Sequence, residues 1–202
     1  SYWGHAGASL FDNLELLYSA TGGHFNIYED SVIQDIGRFI YKAHISDDYF
    51  VNIGDCDARL DIDRDLVFRY GRRNKDKKME DLATHGLTEE KLFDIEKSFR
   101  SLGRILYTLF NVSDLFAAES LSQPLLRDVW LGDEDMQMMA ARDKEGSPDG
   151  LYVACWAGHN GQSHNHNDVG NFIIYANGGP FIIDIGKPTY TRQTFSDDRY
   201  KI

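Results

Sequence analysis

The chain has 202 residues, of which 42% are hydrophobic and 13% aromatic, enough apolar material to bury a core, which excludes a disordered chain. Against 21 Lys and Arg stand 32 Asp and Glu, and the net charge of −11 argues against a broad nucleic-acid or anionic-membrane surface. No apolar run reaches the ~18–20 residues of a membrane-spanning helix.

Leu10, Phe11, Leu14, Leu17 and Tyr18 recur at helical spacing and predict a first helix that stops at Gly22-Gly23. Val32, Ile33, Ile36, Phe39, Ile40 and Ala43 predict a second, capped at Asp30 or Ser31. The mixed basic run from Arg69 to Lys78 reads as a solvated helix end or loop. A third helix is expected from about Thr88, its cap, through Leu92, Phe99, Leu102, Leu106, Leu109 and Phe110. After about Pro124 the texture changes. Residues 136–142, 151–157, 169–176 and 180–185 are short runs, mostly rich in β-branched and aromatic side chains and separated by Gly, Pro, Asn and Asp, which predicts antiparallel strands. Asn177-Gly178-Gly179 is a hairpin signal, because these residues tolerate positive φ. No strand is expected ahead of residue 110. Helices first and strands second predict an α+β, multidomain chain, with a helical domain over 1–124 and the first part of a β-sandwich or barrel over 125–202. Cys56 and Cys155 form no CxxC pair, and both one disulfide and two buried thiols are compatible with them.

The densest polar stretch runs from Gly158 to Asp168 and holds His159, His164 and His166. In an extended segment His164 and His166 point to the same side, ~6–7 Å apart, so they are able to converge on one ligand. Asp184 ends the apolar run from Pro180, where a carboxylate is costly to bury unless it is paired or metal-bound, and it is placed to meet His166 across the hairpin. Two ligands are too few for a closed zinc site, so a third would come from elsewhere. The alternative is an ordinary polar loop with Asp184 as a turn cap. Three histidines followed by an aspartate favour the functional reading.

The run Ser163-His164-Asn165-His166-Asn167-Asp168-Val169-Gly170-Asn171-Phe172, followed by residues 177–186 and Thr189-Tyr190-Thr191, resembles the heparinase II/III-type polysaccharide lyases. The opening Tyr2-Trp3-Gly4 is similar to the family segment that carries a catalytic Tyr. The resemblance implies an (α/α) toroid followed by an antiparallel β-sandwich, acting on a uronic-acid-containing acidic polysaccharide by β-elimination. It implies Tyr2 as catalytic acid/base, His164 against the substrate carboxylate, His166 and Asp184 as Zn(2+) ligands, and Tyr190 as a weaker catalytic candidate. Trp3, Asn165 and Arg192 are the substrate-binding candidates, although Trp3, like Trp130 and Trp156, equally suits a core. Arg192 equally suits an ion pair with Asp197 or Asp198. The family's third metal ligand, a later His, has no counterpart here. The chain, which opens without Met or a signal peptide, is therefore read as an internal piece of a longer bacterial protein, periplasmic or secreted. The expected partner is an acidic polysaccharide or oligosaccharide, with no nucleic acid and no membrane insertion; a homodimer is compatible.

Two rivals remain. A cupin-like metal enzyme also uses H-x-H on a hairpin with a carboxylate, but the helical first half and the missing Glu shortly after His166 count against it. A non-catalytic glycan-binding protein that keeps the fold and zinc for structure is favoured by the net charge of −11, because a polyanion is repelled overall, although screening over ~10 Å leaves local site charge in control.

Overall fold

The computed structural model describes residues 2–93, 101–118, 120, 122–132, 137–161, 166–187 and 189–196, with the backbone alone at Tyr2, Phe93 and Phe195. The first apolar stripe forms α1 (Ala6–Ala20), which buries Gly7, Ala8, Phe11 and Leu14. The second forms α2 (Ser31–Lys42), which buries Ile33, Gly37, Ile40 and Tyr41. Asp30 is its cap: the carboxylate accepts from the Val32 N–H at 2.9 Å and so satisfies one of the orphan donors of the first turn.

The basic run from Arg69 to Lys78 is not a solvated end. It belongs to two core helices, α3 (Arg64–Asn74) and α4 (Lys77–Thr84), joined at Lys75 in the left-handed region and at Asp76, which caps α4. The two helices approach so closely that a Cβ at Gly71 would come within 2.8 Å of the Met79 Cβ. Their charges hid the periodicity because the guanidinium groups lie over rings: Arg69 over Phe11 and Tyr107, Arg72 over Phe68, Arg73 over Tyr18. The third expected helix divides into α5 (Glu89–Phe93) and α6 (Leu102–Ala117). Ser101 starts α6 afresh, its hydroxyl accepting from the Arg104 N–H. Among the described residues no helix is long and apolar enough to cross a membrane.

Strands do occur ahead of residue 110, which corrects the expectation: β1 (His44–Ser46) and β2 (Tyr49–Phe50) form a small antiparallel hairpin after α2. The larger sheet takes β3 (Asp128–Leu131), β4 (Gln137–Arg142), β5 (Leu151–Ala157), β6 (Phe172–Ala176) and β7 (Gly179–Ile182) in the order β3-β4-β5-β6-β7, every pair antiparallel. The turn from β6 to β7 has Asn177 and Gly178 both at positive φ, the conformation the Asn-Gly pair favours.

The molecule carries two cores. Trp3, Phe11, Tyr70 and Leu115 belong to the helical one, where the Phe11 and Tyr70 rings stack 4.7 Å apart. Met138, Tyr152, Trp156, Ile173 and Tyr175 belong to the sheet core, which also takes in Ile45 of β1 and Val51 just after β2. The hairpin therefore sits in the helical half of the chain but packs on the sheet. Arg142 of β4 reinforces this junction, its guanidinium donating to the carbonyls of Leu126 (2.8 Å), Ile45 (3.0 Å) and His44 (3.1 Å).

On the opposite face of the sheet, cross-strand partners align Trp130, Met139, Cys155 and Phe172 in one row, and Ala141, Val153 and Ile174 with Ile182 in the next. Trp130 on this face is 77% exposed. Both faces of the sheet are thus apolar, whereas a sheet with one wet face alternates apolar with polar residues.

Candidate functional site at the junction of the helical half and the sheet

Two chain segments meet here. The first follows β2, where a turn at Gly54 with φ of 60° turns the chain so that the Asp55 side chain is only 1% exposed. The second follows β5. There the Gly170 N–H donates to Trp156 O (2.9 Å) and the Asn171 N–H to Asp168 O (2.8 Å), which folds residues 168–171 back onto the strand and fixes the backbone that carries Asp168. His166 lies between these segments. Its Nε2 is 3.0 Å from Asp55 Oδ1, and its Nδ1 is 3.5 Å from Asp168 Oδ2.

Asp184, just after β7, accepts from Asn171 Nδ2 at 2.7 Å and from the Gly186 N–H at 2.6 Å. Burial, and then the neighbouring Asp184 charge, push the Asp168 carboxyl above its usual range, with His166 opposing. The expected meeting of Asp184 with His166 across the hairpin is thus not the contact found: His166 meets Asp55 and Asp168, and Asp184 meets Asn171 and Gly186, bearing on Asp168 only through its charge. A second tie runs beside it, from Lys187 Nζ to Asp57 at 3.0 Å. Cys56, between the two aspartates, is a free thiol, as is Cys155 on β5.

The other candidate residues fall in different places. His164 and Asn165 lie outside the described residues, and Tyr2 contributes only its backbone, in a short 3₁₀ turn (Tyr2–Gly4) ahead of α1. Trp3 lies in the helical core, 7% exposed, with its indole N–H donating to Ile36 O at 2.6 Å, so it packs and offers no open face to a sugar ring. Tyr190 and Arg192 are exposed, ahead of and at the start of a 3₁₀ turn (Gln193–Phe195).

Asp55 is the residue that sequence reasoning missed. Nothing local marks it, because its partner lies 111 residues further on. A cavity of about 750 Å³ between the hairpin and α3–α4, lined among others by His44, Tyr49, Arg59 and Arg64, went equally unmarked. Its cations are engaged within the chain: Arg59 pairs with Asp48 at 2.8 Å, and Arg64 donates to the carbonyls of Leu82, Ala83 and His85.

Among the described residues no three His, Cys, Asp or Glu side chains gather closely enough to enclose a metal ion. The donor chemistry nonetheless suits zinc: one imidazole facing a carboxylate, with a second carboxylate near enough to act on the first. Asp168 Oδ2 is buried without a hydrogen-bond partner among the described residues, the kind of orphan that a cation satisfies. Compared with models of protein families and with curated protein sequences, the chain finds no match.

Proposed function

We propose that this chain is part of a polysaccharide lyase of the heparinase II/III type, which cleaves a uronic-acid-containing acidic polysaccharide in the periplasm or outside the cell. The observation that carries the reading is that one residue the resemblance assigns to the metal, His166, contacts the half-buried Asp168 carboxylate, on which the charge of the other, Asp184, also bears, at the seam between helices and sheet. The order of helices before an antiparallel sheet supports it, as does the doubly apolar sheet, which suits one layer of a β-sandwich placed after an (α/α) toroid.

In the proposed reaction the proton beside the uronate carboxylate is removed and the bond to the leaving oxygen breaks, leaving a double bond conjugated to the carboxylate. Tyr2 moves both protons, taking one at the ring carbon and returning one to the departing oxygen. A tyrosinate needs positive charge nearby, since the phenol ordinarily titrates near ~10. His164 faces the carboxylate and stabilises the charge that builds there, while Asn165 and Arg192 orient the sugar. Zinc held by His166 and Asp184 would supply a fixed positive charge that stiffens the hairpin beside His164.

The test is a rise in ultraviolet absorbance as the full-length protein acts on a panel of uronate polymers. Tyr2→Phe, which keeps the ring and removes the transferable proton, should lower kcat by at least ~10²–10⁴-fold with little change in KM. Saturated products would indicate a hydrolase and overturn the reading. A second reading, a glycan-binding protein without turnover, is favoured by the net charge of −11 and by the two aspartates that contact His166. Binding without products, unchanged in Tyr2→Phe, would select it.

A further inference from the structure

The Asp55–His166 contact has a chemical consequence. An ionised carboxylate accepts hydrogen bonds and does not donate them, so with Asp55 ionised the 3.0 Å contact places the hydrogen on Nε2. In the neutral ring the other nitrogen, Nδ1, then carries the lone pair, and it is the one that faces Asp168 Oδ2 at 3.5 Å. Two lone pairs facing each other between half-buried side chains repel unless a cation or a proton lies between them. Their 3.5 Å separation is near the ~3.3 Å between two donors of one tetrahedral zinc bonded at ~2.0 Å. The Asp55 contact is shorter and lies within the usual hydrogen-bond range.

We propose that Asp55, supplied by the helical half, is a positioning residue that holds His166 as the Nε2–H tautomer and leaves Nδ1 as its acceptor nitrogen, directed at Asp168. A metal at this site is then taken through Nδ1, and Asp55 acts on it only through the ring. This rests on the proposed role of His166 as a metal ligand. It assigns the carboxylate behind the ligand, the outer partner that sets ring orientation and basicity. It also makes metal affinity depend on a segment far from the histidine motif in sequence.

Long-range proton–nitrogen correlation spectra of the full metal-free chain at pH 8 read the tautomer directly. The wild type should show His166 protonated on Nε2. In Asp55→Asn, whose amide presents either an acceptor or a donor to the ring, the preference should weaken. Zinc affinity, measured by competition, should fall ~10–100-fold in Asp55→Asn and recover in part in Asp55→Glu. A wild-type Nδ1–H tautomer overturns the proposal, because Asp55 would then face a lone pair and serve as a ligand itself, and so does a ring protonated on both nitrogens, which leaves no acceptor for a metal. So does an Asp55→Asn variant that loses thermal stability while tautomer and zinc affinity stay unchanged. If Asp55→Asn does not fold, the wild-type spectrum still decides. A wild type that binds no zinc sinks the metal reading alone, since the tautomer is read without metal.

Discussion

In the helical half, Arg69 is buried beside its own Asp65, one turn away on α3 at 2.9 Å, with its guanidinium stacked between Phe11 and Tyr107. At the junction, Arg142 is equally buried, and the partners it meets are backbone carbonyls of Leu126, Ile45 and His44, the last two nearly a hundred residues away in sequence. One charge is neutralised within a helix; the other is solvated by peptide dipoles of a distant segment. Burial opposes both charges, holding the Arg142 guanidinium below and the Asp65 carboxyl above their usual ranges. The Arg69 charge is therefore met within its own helix, whereas the Arg142 charge of the sheet depends on the helical half.

The largest effect should come from separating the local pair. Arg69→Met leaves the Asp65 carboxylate buried without its cation, which should cost ~3–5 kcal/mol in urea unfolding; adding Asp65→Leu should recover most of it. A single variant as stable as wild type would show that the pair is not buried in solution. Next, Arg142→Met strands the carbonyls of Leu126, Ile45 and His44 and should cost ~3 kcal/mol. Because those bonds span the two cores, tryptophan fluorescence and circular dichroism should give separate transitions in this variant. Coincident transitions at the wild-type midpoint would break the contrast between the halves.

Acid sharpens the same contrast at His44, whose ring lies tilted against Phe50 and whose Nε2–H donates to Asp47 O. Burial, with Arg142 nearby adding to it, pushes this imidazole down to about 4, while the hydrogen bond to Asp47 O opposes the shift. The unfolded chain titrates near ~6.5 and so binds a proton that the folded chain refuses. Stability should therefore fall as pH drops from ~6.5 towards 4, by up to roughly 3 kcal/mol, and this slope should vanish in His44→Gln. The smallest effect belongs to Ser46, whose hydroxyl donates to Gly178 O at 2.7 Å; Ser46→Ala should cost ~1 kcal/mol in thermal unfolding.

What the sequence made legible follows the same division. α1, α2 and strands β4 to β7 were visible because each satisfies a local period, and the Asn177-Gly178 turn because its backbone demands those residues. α3 and α4 were hidden by arginines that count as polar letters yet cover rings. β3, of four residues, and the hairpin of β1 and β2 are too short for a period to register. At the site, the histidine motif pointed to His166 and Asp184. Asp55 had no local signal, since its role exists only once the helical half meets the sheet. Trp3 offered the reverse lesson: an aromatic beside a catalytic candidate in sequence is held in the core by its bond to Ile36 O.

β7 lies at one side of the described sheet and continues into residues whose side chains face outwards: Phe181 is 73% exposed, Ile183 63% and Ile185 99%. Such a run at a strand edge is a template for pairing with a neighbouring molecule, and natural proteins interrupt it with charge. Asp184 stands between Ile183 and Ile185, but its carboxylate is engaged inward by Asn171 Nδ2 at 2.7 Å and the Gly186 N–H at 2.6 Å, so it puts no charge on the outward row. A charge placed on that row, as in Ile183→Lys, should therefore change self-association in sedimentation without disturbing the bonds that Asp184 makes.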